Sequence, residues 1–257
     1  MPSKSNFLRT SDLARIVGVH PNTVRRYAER GILPPVERSP SGYRRFTRRH
    51  LDCLRLAHLV YNGQYPGKAI YKSGVRIVQV AASGDLGGTL ELAYGHLALV
   101  RSERDQADVA ARLLERWAFG APVDATHQPL QIGQAAKLLG VSIDILRNWD
   151  RNGLIDVPRD PANGYRRYGA QEIGRLRVIR MLSRAGYSLS AILRMLTRLD
   201  RGETTDLRAA LDTPDPDDSA FMASDRWIST LVEEERRAHT LIALVEEIIA
   251  NQSGVAA

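Results

Sequence analysis

The chain has 257 residues, 44% of them hydrophobic and 25% charged, with a formal net charge of +7. That length allows about two ordinary domains, and the composition is typical of a globular protein with a buried core. The sequence has no apolar run near the ~20 residues of a membrane span, no apolar leader after Met1, and a single cysteine, Cys53, which excludes an internal disulfide. We therefore expect a cytoplasmic protein without a membrane segment.

The positive charge is unevenly distributed along the chain. Residues 1–70 carry 13 basic and 4 acidic side chains, a net +9, and residues 128–200 carry 12 and 6, a net +6. Residues 71–127 are nearly neutral at −1, and residues 201–257 are acidic at −7. A GC-rich genome would explain arginine over lysine but not this clustering, so we infer a polyanionic partner, nucleic acid above all.

The first predicted elements, within residues 8–84, are two short helices joined by a turn. Gly18 ends the first helix, Pro21 opens the second and Gly31 closes it, which is the helix-turn-helix pattern. Side chains on the second helix can reach base edges and phosphates in a major groove. The candidate DNA contacts on this helix are Asn22, Thr23, Arg25, Arg26 and Tyr27.

A hairpin is predicted next. A strand over Ile32–Val36, a turn over Ser39–Gly42 and a return strand over Tyr43–Phe46 would form a wing. A return strand of this pattern can present cations on one side and rings on the other. The candidate DNA contacts are Tyr43 and the two arginines, Arg44 and Arg45, which we place astride phosphates.

Helices should complete this part of the chain and lead out of it. One is expected over Thr47–Tyr61, another from Pro66 to about Ser83, followed by a loop over Gly84–Gly88. Residues 89–119 lack proline, and their apolar residues step by three and four, as in a coiled-coil seam. Residues 221–250 repeat that spacing after an acidic loop broken by prolines. Each predicted seam carries one central charge, Arg104 in the first and Glu235 in the second.

The first unit of the chain recurs 122 residues later. The run from Gly42 to Phe46, a glycine, a tyrosine, two arginines and an aromatic residue, returns from Gly164 to Tyr168. Matches extend over some sixty positions, far beyond the ~20–50 residues of a solenoid repeat, so they indicate a duplicated domain. We call residues 8–84 the first head and residues 128–211 the second head.

The second head departs from the first on its second helix. Asp144 replaces Asn22 and adds a charge that phosphates repel, and Ile145 replaces Thr23 and removes a hydroxyl. We expect this head to hold the DNA backbone but to read bases less well than the first; the alternative is that it has become a packing domain. Its candidate DNA contacts are Arg147, Asn148, Trp149, Tyr165, Arg166 and Arg167.

The order of helix, turn, helix, wing and two further helices resembles the MerR family of bacterial transcription regulators. The stretch Val19–Tyr27 is similar to the recognition helix of that family, and Gly31–Leu33 to the residues that lead into its wing. The resemblance covers residues 8–70 and 130–192, about half of the chain. It implies double-stranded promoter DNA and RNA polymerase holoenzyme as partners, and activation by kinking and untwisting the promoter spacer.

In the MerR family, two chains pair through antiparallel long helices. Here one chain has both heads and both helices, so we expect a mainly α fold whose two long helices, residues 85–127 and 212–257 with their loops, form an antiparallel coiled coil inside the chain. Arg104 and Glu235 would then meet and fix the register. The chain would be a monomeric pseudo-dimer; the alternative is a homodimer in which each helix pairs with its mate in a second chain.

No catalytic, metal-binding or phosphate-loop pattern occurs in the sequence, and we expect neither an enzyme nor a cofactor. Cys53 is interpreted as a core residue. A small planar apolar effector could bind near the ends of the long helices. The candidate effector residues are Tyr94, Trp117, Phe119, Phe221 and Trp227.

The leading hypothesis for the function is a DNA-binding transcription regulator associated with the bacterial nucleoid. Two rigidly spaced heads suit DNA deformation, because bending requires force at two places. One alternative is a protein that sequesters an aromatic compound on the same fold. Another is an excision or architectural factor of a mobile element, although such factors are usually single short heads.

Overall fold

The computed structural model describes residues 7–63, 67–118, 128–213 and 226–253, and its architecture is mainly α-helical, which confirms the predicted fold class. The first half contains five helices among the described residues: α1 Thr10–Val17, α2 Pro21–Glu29, α3 Arg48–Tyr61, α4 Gly67–Ser83 and α5 Leu86–Ala118. The second half contributes α6 Ile132–Leu139, α7 Ile143–Arg151, α8 Ala170–Arg184, α9 Leu189–Asp200, α10 Leu207–Asp212 and α11 Trp227–Ser253.

The helix-turn-helix of the first head forms as predicted. Gly18 ends α1 in the left-handed region, with φ at +75°, a conformation that glycine adopts at little cost. Leu13 and Val24 are fully buried and join α1 to α2 in one core with Phe46 and Leu54. The duplicated head repeats this design, since Gly140 ends α6 with φ at +60°.

The hairpin of the first head is shorter than predicted. The strands are β1 Glu37–Arg38 and β2 Arg44–Arg45, paired antiparallel with Glu37 opposite Arg45. The strand predicted over Ile32–Val36 is therefore wrong. Two prolines interrupt that stretch, Pro34 and Pro35, and proline has no N–H to donate to a ladder.

Both hairpins are joined to the start of their heads by the same bridge. Leu8 pairs antiparallel with Phe46, and Leu130 pairs antiparallel with Tyr168, at the offset of 122 residues. Phe46 and Tyr168 are 0% and 1% exposed. The last residue of each recurring motif is therefore a core residue that fixes the hairpin to its head.

The loop predicted over Gly84–Gly88 is also wrong in part, because α5 begins at Leu86 and includes both later glycines. The Asp85 carboxylate Oδ1 accepts a hydrogen bond from the Gly88 N–H at 2.8 Å. An acidic residue in that position satisfies an N–H that the first turn of a helix leaves without a partner. The cap makes up for the low helix propensity of the glycines.

The chain divides into two compact units, and both long helices contribute to each of them. The first unit comprises Met1–Arg101 and Glu233–Ala257, and the second comprises Ser102–Val232. The first head therefore folds together with the first part of α5 and most of α11. The second head folds together with the rest of α5 and the beginning of α11.

In the first unit, α5 and α11 run antiparallel and in contact. Tyr94 Oη donates to Glu246 Oε1 at 3.0 Å, and Arg101 Nε donates to Glu235 Oε1 at 2.8 Å. Seam residues of both helices, including Ala93 and Ala238, are buried in one cluster with residues of α3 and α4. The predicted meeting of Arg104 with Glu235 stays a prediction.

The same unit ties α11 to the first head. Nη1 and Nη2 of the Arg55 guanidinium donate to the Glu247 carboxylate, at 2.8 and 3.0 Å. Leu241 and Val245 on α11 are buried in a cluster that includes Leu56 and Ile77 of the head. The C-terminal helix is therefore part of the core beneath the first head.

In the second unit, equivalent contacts hold the second head to the long helices. Tyr187 Oη donates to the Ala107 carbonyl on α5 at 3.3 Å, and Arg208 forms an ion pair with Asp108. Trp227 on α11 is 6% exposed, and its Nε1 donates to the Ala185 carbonyl at 2.7 Å.

No helix of the described segments is long and apolar enough to cross a membrane.

Candidate nucleic-acid interface

The recognition helix of the first head, α2, is anchored on one side and exposed on the other. Val24 is fully buried, whereas Asn22, Arg25 and Arg26 are exposed. His20 lies just before the helix, and its Nδ1 accepts a hydrogen bond from the Asn22 N–H at 3.2 Å. His20 thus caps the N-terminus of α2.

Asn22 also orients its neighbour. The Asn22 Oδ1 accepts a hydrogen bond from Arg25 Nη1 at 2.8 Å. Because the amide is neutral, it holds the guanidinium in place without offsetting its positive charge. The exposed face of α2 therefore presents two full cations, Arg25 and Arg26, beside a polar amide.

Two predicted contacts on α2 are less accessible. Thr23 and Tyr27 are both half-buried. The Tyr27 ring packs edge-on against Tyr61, with centroids 5.7 Å apart, and it contacts both core clusters of this unit. Burial raises the pKa of the Tyr27 hydroxyl, which keeps it protonated. The Tyr27 ring therefore packs against the core beneath α2, and only part of it is exposed.

The wing of the first head closes in a turn over Ser39–Gly42, as predicted. The Gly42 N–H donates to the Ser39 carbonyl at 2.8 Å, and the Arg38 guanidinium donates to the Gly42 carbonyl at 3.0 Å. Gly42 has φ at +84°, which a side chain would resist. Tyr43 follows with 77% of its surface exposed. A large aromatic ring held in water at a rigid turn is available for a partner.

The two wing arginines differ in their surroundings. Arg44 Nη2 donates to Glu29 Oε1 at 2.8 Å, joining the wing to the end of α2. Arg45 is exposed on the other side of the strand, with its guanidinium 4.7 Å from the centroid of the Phe7 ring. A cation over an aromatic face keeps its charge. Arg45 is thus the more available cation, and Arg44 also positions the wing.

The recognition helix of the second head, α7, is capped at its N-terminus by Ser142. Ser142 Oγ accepts a hydrogen bond from the Ile145 N–H at 3.2 Å. Arg147 lies 3.4 Å from the carboxylate of Asp144, which partly offsets its charge. Asn148 is exposed. Trp149 is 5% exposed and packs in the head, so its ring is not presented on the DNA-facing surface.

The wing of the second head repeats that of the first, with Arg159 in the role of Arg38. Arg166 forms an ion pair with Asp150 at the end of α7, as Arg44 does with Glu29. Arg167 lies 3.5 Å from Asp160, and Tyr165 is 69% exposed. The backbones of Arg159 and Arg166 form an antiparallel β-bridge across the hairpin. The wing and α7 enclose a cleft of about 330 Å³ lined by Gln131, Ile132, Arg147, Arg159, Gly164, Tyr165 and Arg166.

In each head an ion pair joins the wing to the end of the recognition helix, and in the second head Arg147 of that helix lines one cleft with Arg159 and Arg166 of the wing. Sequence reasoning missed Arg38 and Arg159, whose guanidinium groups hold the wing turns. It also missed the acidic partners of the first wing arginines, Glu29 and Asp150. The expectation of cations on one side of each return strand and rings on the other does not hold in the first head, where Arg44 bonds to Glu29 and Arg45 lies over the Phe7 ring. Consecutive residues of a strand face opposite sides. The acidic partners of Arg44 and Arg166 lie some fifteen residues away in the sequence and carry no local signal.

The candidate effector residues do not form one described site. Tyr94 belongs to the first unit, and Trp117 and Trp227 belong to the second. Tyr94 bonds to Glu246, and Trp227 is committed to the Ala185 carbonyl. Phe119 and Phe221 lie outside the described residues. The predicted effector pocket is therefore not supported at Trp227, which is core.

The described segments contain no group of three or more His, Cys, Asp or Glu side chains that could hold a metal ion. Cys53 is buried as predicted, and its Sγ lies 3.7 Å from the Ala81 carbonyl. Burial raises the pKa of its thiol to about 11, so at neutral pH it is a protonated core residue and not a reactive thiolate.

Comparison with known families identifies both heads. The family model described as "MerR HTH family regulatory protein" matches residues 130–199, and the one described as "MerR family regulatory protein" matches residues 9–46. The chain is a MerR-family protein with two MerR-like regions. The resemblance drawn from the motifs is therefore confirmed for both copies.

Similar curated proteins match over one head's length. A mercuric resistance operon regulatory protein of Serratia marcescens is 40% identical over 73 residues, 28% of this chain and 50% of that protein. A probable heavy metal-dependent transcriptional regulator of Haemophilus influenzae is 37% identical over 71 residues, 28% of this chain and 56% of its own. The transcriptional repressor CarH of Myxococcus xanthus is 31% identical over 72 residues, 28% of this chain and 24% of that protein.

This MerR-family chain spans about half the length of the curated relatives that it matches most strongly. No solved structure matches it significantly. The family models therefore match residues within the two heads, and they do not extend over the long helices α5 and α11.

Proposed function

We propose that this MerR-family protein is a DNA-binding transcription regulator whose two heads bind the two halves of one promoter site. The observation that carries the proposal is the same in both heads: exposed arginines on the recognition helix, and a wing joined to the end of that helix by an ion pair. We infer that Arg25 and Arg26 in the first head, and Arg147 with the wing cleft in the second, contact phosphates and base edges.

The two heads belong to one chain, and this supports a pseudo-dimer. Tyr94 and Arg101 on α5 bond to α11 of the same chain, and α11 contributes to the core beneath the first head. A second chain is not needed to cover the α5 seam in that unit. The helix α5 has 33 residues, about 50 Å, which exceeds the ~34–36 Å between successive turns of B-DNA.

The mechanism follows from binding at two places. Two heads fixed to one pair of helices can hold the ends of a site and bend the DNA between them, and bending a site of 20–30 base pairs costs about 1–6 kcal/mol. We propose that this distortion lets RNA polymerase holoenzyme engage both promoter elements. The polarity of regulation would then depend on the spacing in the target, since a bend can either align those elements or misalign them.

The test is to sequence the genomic fragments that the full-length protein retains, together with its mass in solution. We expect fragments centred on promoters, with two unequal half-sites, bound by a single chain at nanomolar concentration. Binding should weaken steeply with salt, because several phosphates are neutralised. Retention of random fragments with no shared sequence, or a stable two-chain species in light scattering at that concentration, would contradict the proposal.

A further inference from the structure

The first unit contains a cleft beside the end of the recognition helix. It has a volume of about 610 Å³, within the range of small-molecule sites. The end of α2, the turn after it, the end of α3 and one side of α4 form its walls. Its lining residues are Arg26, Tyr27, Arg30, Gly31, Ile32, Tyr61, Tyr71, Val78 and Gln79.

The lining combines aromatic rings with cations. Tyr27 and Tyr61 meet edge to face, and burial raises the pKa of both hydroxyls, so they stay protonated and can donate. Val78 is buried at 2% exposure and gives the cleft an apolar base. Arg30 is exposed at the rim, next to the exposed Arg26. Rings that stack a planar molecule thus lie beside guanidinium groups that bind an anion.

The second head shows that the fold does not require this lining. At the offset of 122, Asn152 stands for Arg30, Ser183 for Tyr61 and Leu193 for Tyr71. Asp200 stands for the buried Val78, and its carboxylate accepts two hydrogen bonds from Arg175, at 2.5 and 2.8 Å. The same scaffold therefore forms with neither the tyrosines nor the cations of the cleft.

The cleft also differs from a contact for the DNA backbone. A phosphate needs one or two donors at the surface and no apolar base. Here a half-buried Ile32 and the buried Val78 lie behind three tyrosines, in a space large enough for a molecule of two or three rings.

We propose that this cleft binds a planar aromatic molecule carrying an anionic group, and that binding opposes DNA binding by the first head. The rings stack between the tyrosines, and the anion pairs with Arg26 and Arg30. Arg26 lies on the recognition helix, so a ligand that engages it removes a cation from the DNA-facing surface. This coupling is reciprocal, and it rests on the proposed function.

The test uses the full-length protein and a matched pair of fluorescent probes. 8-Anilinonaphthalene-1-sulfonate is a ring system with an anion, and N-phenyl-1-naphthylamine is nearly the same ring system without one. We expect the sulfonate to bind more tightly to the wild type by about tenfold or more, because a charge-assisted hydrogen bond is worth that factor. Retained DNA fragments should displace it.

Two substitutions place second-head residues in the cleft. Arg30→Asn should lower the preference for the sulfonate, because it removes one of the two cations that pair with the anion, and Tyr71→Leu should weaken both probes about equally. Both side chains are exposed, at 44% for Tyr71, so folding should persist, and circular dichroism checks this. The control is Arg76→Asn, an exposed α4 arginine outside the cleft, which should change neither probe.

Probe affinities that are identical in wild type, Arg30→Asn and Tyr71→Leu would overturn the proposal. It would also be overturned if both substitutions lowered DNA retention while leaving probe binding unchanged, since the cleft would then be a backbone contact. DNA retention by the wild type without any probe is measured separately. If the wild type retained no DNA, the proposed function would be contradicted. The probe results alone decide whether the cleft binds an aromatic anion.

Discussion

The two heads share one scaffold but differ in the charge that they present on their recognition helices. In the first head, a neutral amide, Asn22, holds Arg25; in the second, a carboxylate, Asp144, lies against Arg147. Both hairpins end in a buried aromatic residue and start from an exposed tyrosine. The two copies thus share the buried aromatic residues that fix each hairpin to its head, but they differ on the surface that would contact bases.

The comparison implies a division of labour. A head whose recognition arginine is partly offset by a carboxylate loses base contacts more readily than phosphate contacts, which the wing supplies. The first head should therefore determine sequence preference, and the second should contribute mainly salt-dependent affinity. The four predictions below test the shared scaffold first and then the differences.

The largest effect is expected where the heads agree. Phe46→Ala and Tyr168→Ala should each lower the free energy of unfolding by about 3–5 kcal/mol, because each removes a large ring that is almost fully buried. Urea unfolding of the full chain measures this. The matched controls are Tyr43→Ala and Tyr165→Ala, exposed rings of the same motifs, which should change it by less than about 0.5 kcal/mol. If the exposed and the buried ring of one motif lowered the free energy of unfolding equally, the assignment of one ring to the core and the other to the surface would be wrong.

A smaller effect separates the heads. Arg25→Ala should cost about 1–3 kcal/mol of DNA binding and relax sequence preference, because a bidentate base contact is lost. Arg147→Ala should cost less and leave preference unchanged. Fluorescence anisotropy with retained fragments and single-base variants measures both.

Asp144→Asn is the matched exchange for that pair. It gives the second head the residue of the first, so affinity should rise and the salt dependence should steepen. If Arg25→Ala and Arg147→Ala proved equally costly and equally relaxing, the proposed division of labour would be wrong.

The wing arginines should separate by a smaller margin. Arg45→Ala should weaken binding to all sequences and reduce the slope of log affinity against log salt by about one, as expected for a lost phosphate contact. Arg44→Ala also removes a charge, but it leaves Glu29 without its partner on the wing. Adding Glu29→Gln should therefore restore most of the loss in Arg44→Ala and little of the loss in Arg45→Ala. Rescue of both by the same change would show that the two arginines act alike.

The sequence predicted the elements of each head but not their tertiary partners. Glycines at turns and the spacing of apolar residues are local signals, so Gly18, Gly42 and the α5 seam were placed correctly. The role of Arg44 depends on Glu29, fifteen residues earlier, and only the folded hairpin brings them together. Trp149 matches the half-buried Tyr27 in the repeat, yet its ring is buried, and the sequence motif alone does not distinguish the two environments.

The smallest predicted effect comes from the cap of the helix that follows each wing. In the first head, His50 Nδ1 accepts a hydrogen bond from the Thr47 N–H at 3.0 Å, and its Nε2 lies 3.2 Å from the Pro35 carbonyl. In the second head, the equivalent residue is Glu172, whose carboxylate accepts from the Gly169 N–H at 2.8 Å. The two heads thus use different side chains, an imidazole and a carboxylate, for the same cap.

Burial lowers the pKa of His50 below its ordinary value of 6.5. The unfolded chain therefore binds a proton before the folded chain does, and the stability that neutral His50 contributes is present above pH 6.5 and is lost as the pH falls through the lower, folded pKa. Protonation also removes the lone pair that Nδ1 offers to the Thr47 N–H. We expect the unfolding temperature of the first head to fall between pH 7 and pH 5, and His50→Gln, which keeps an acceptor and a donor at all pH values, to abolish that fall. If the unfolding temperature of His50→Gln still falls between pH 7 and pH 5, the acid sensitivity lies elsewhere in the chain. Glu172→Gln, the equivalent substitution in the second head, is the matched control and should leave the fall in the first head unchanged.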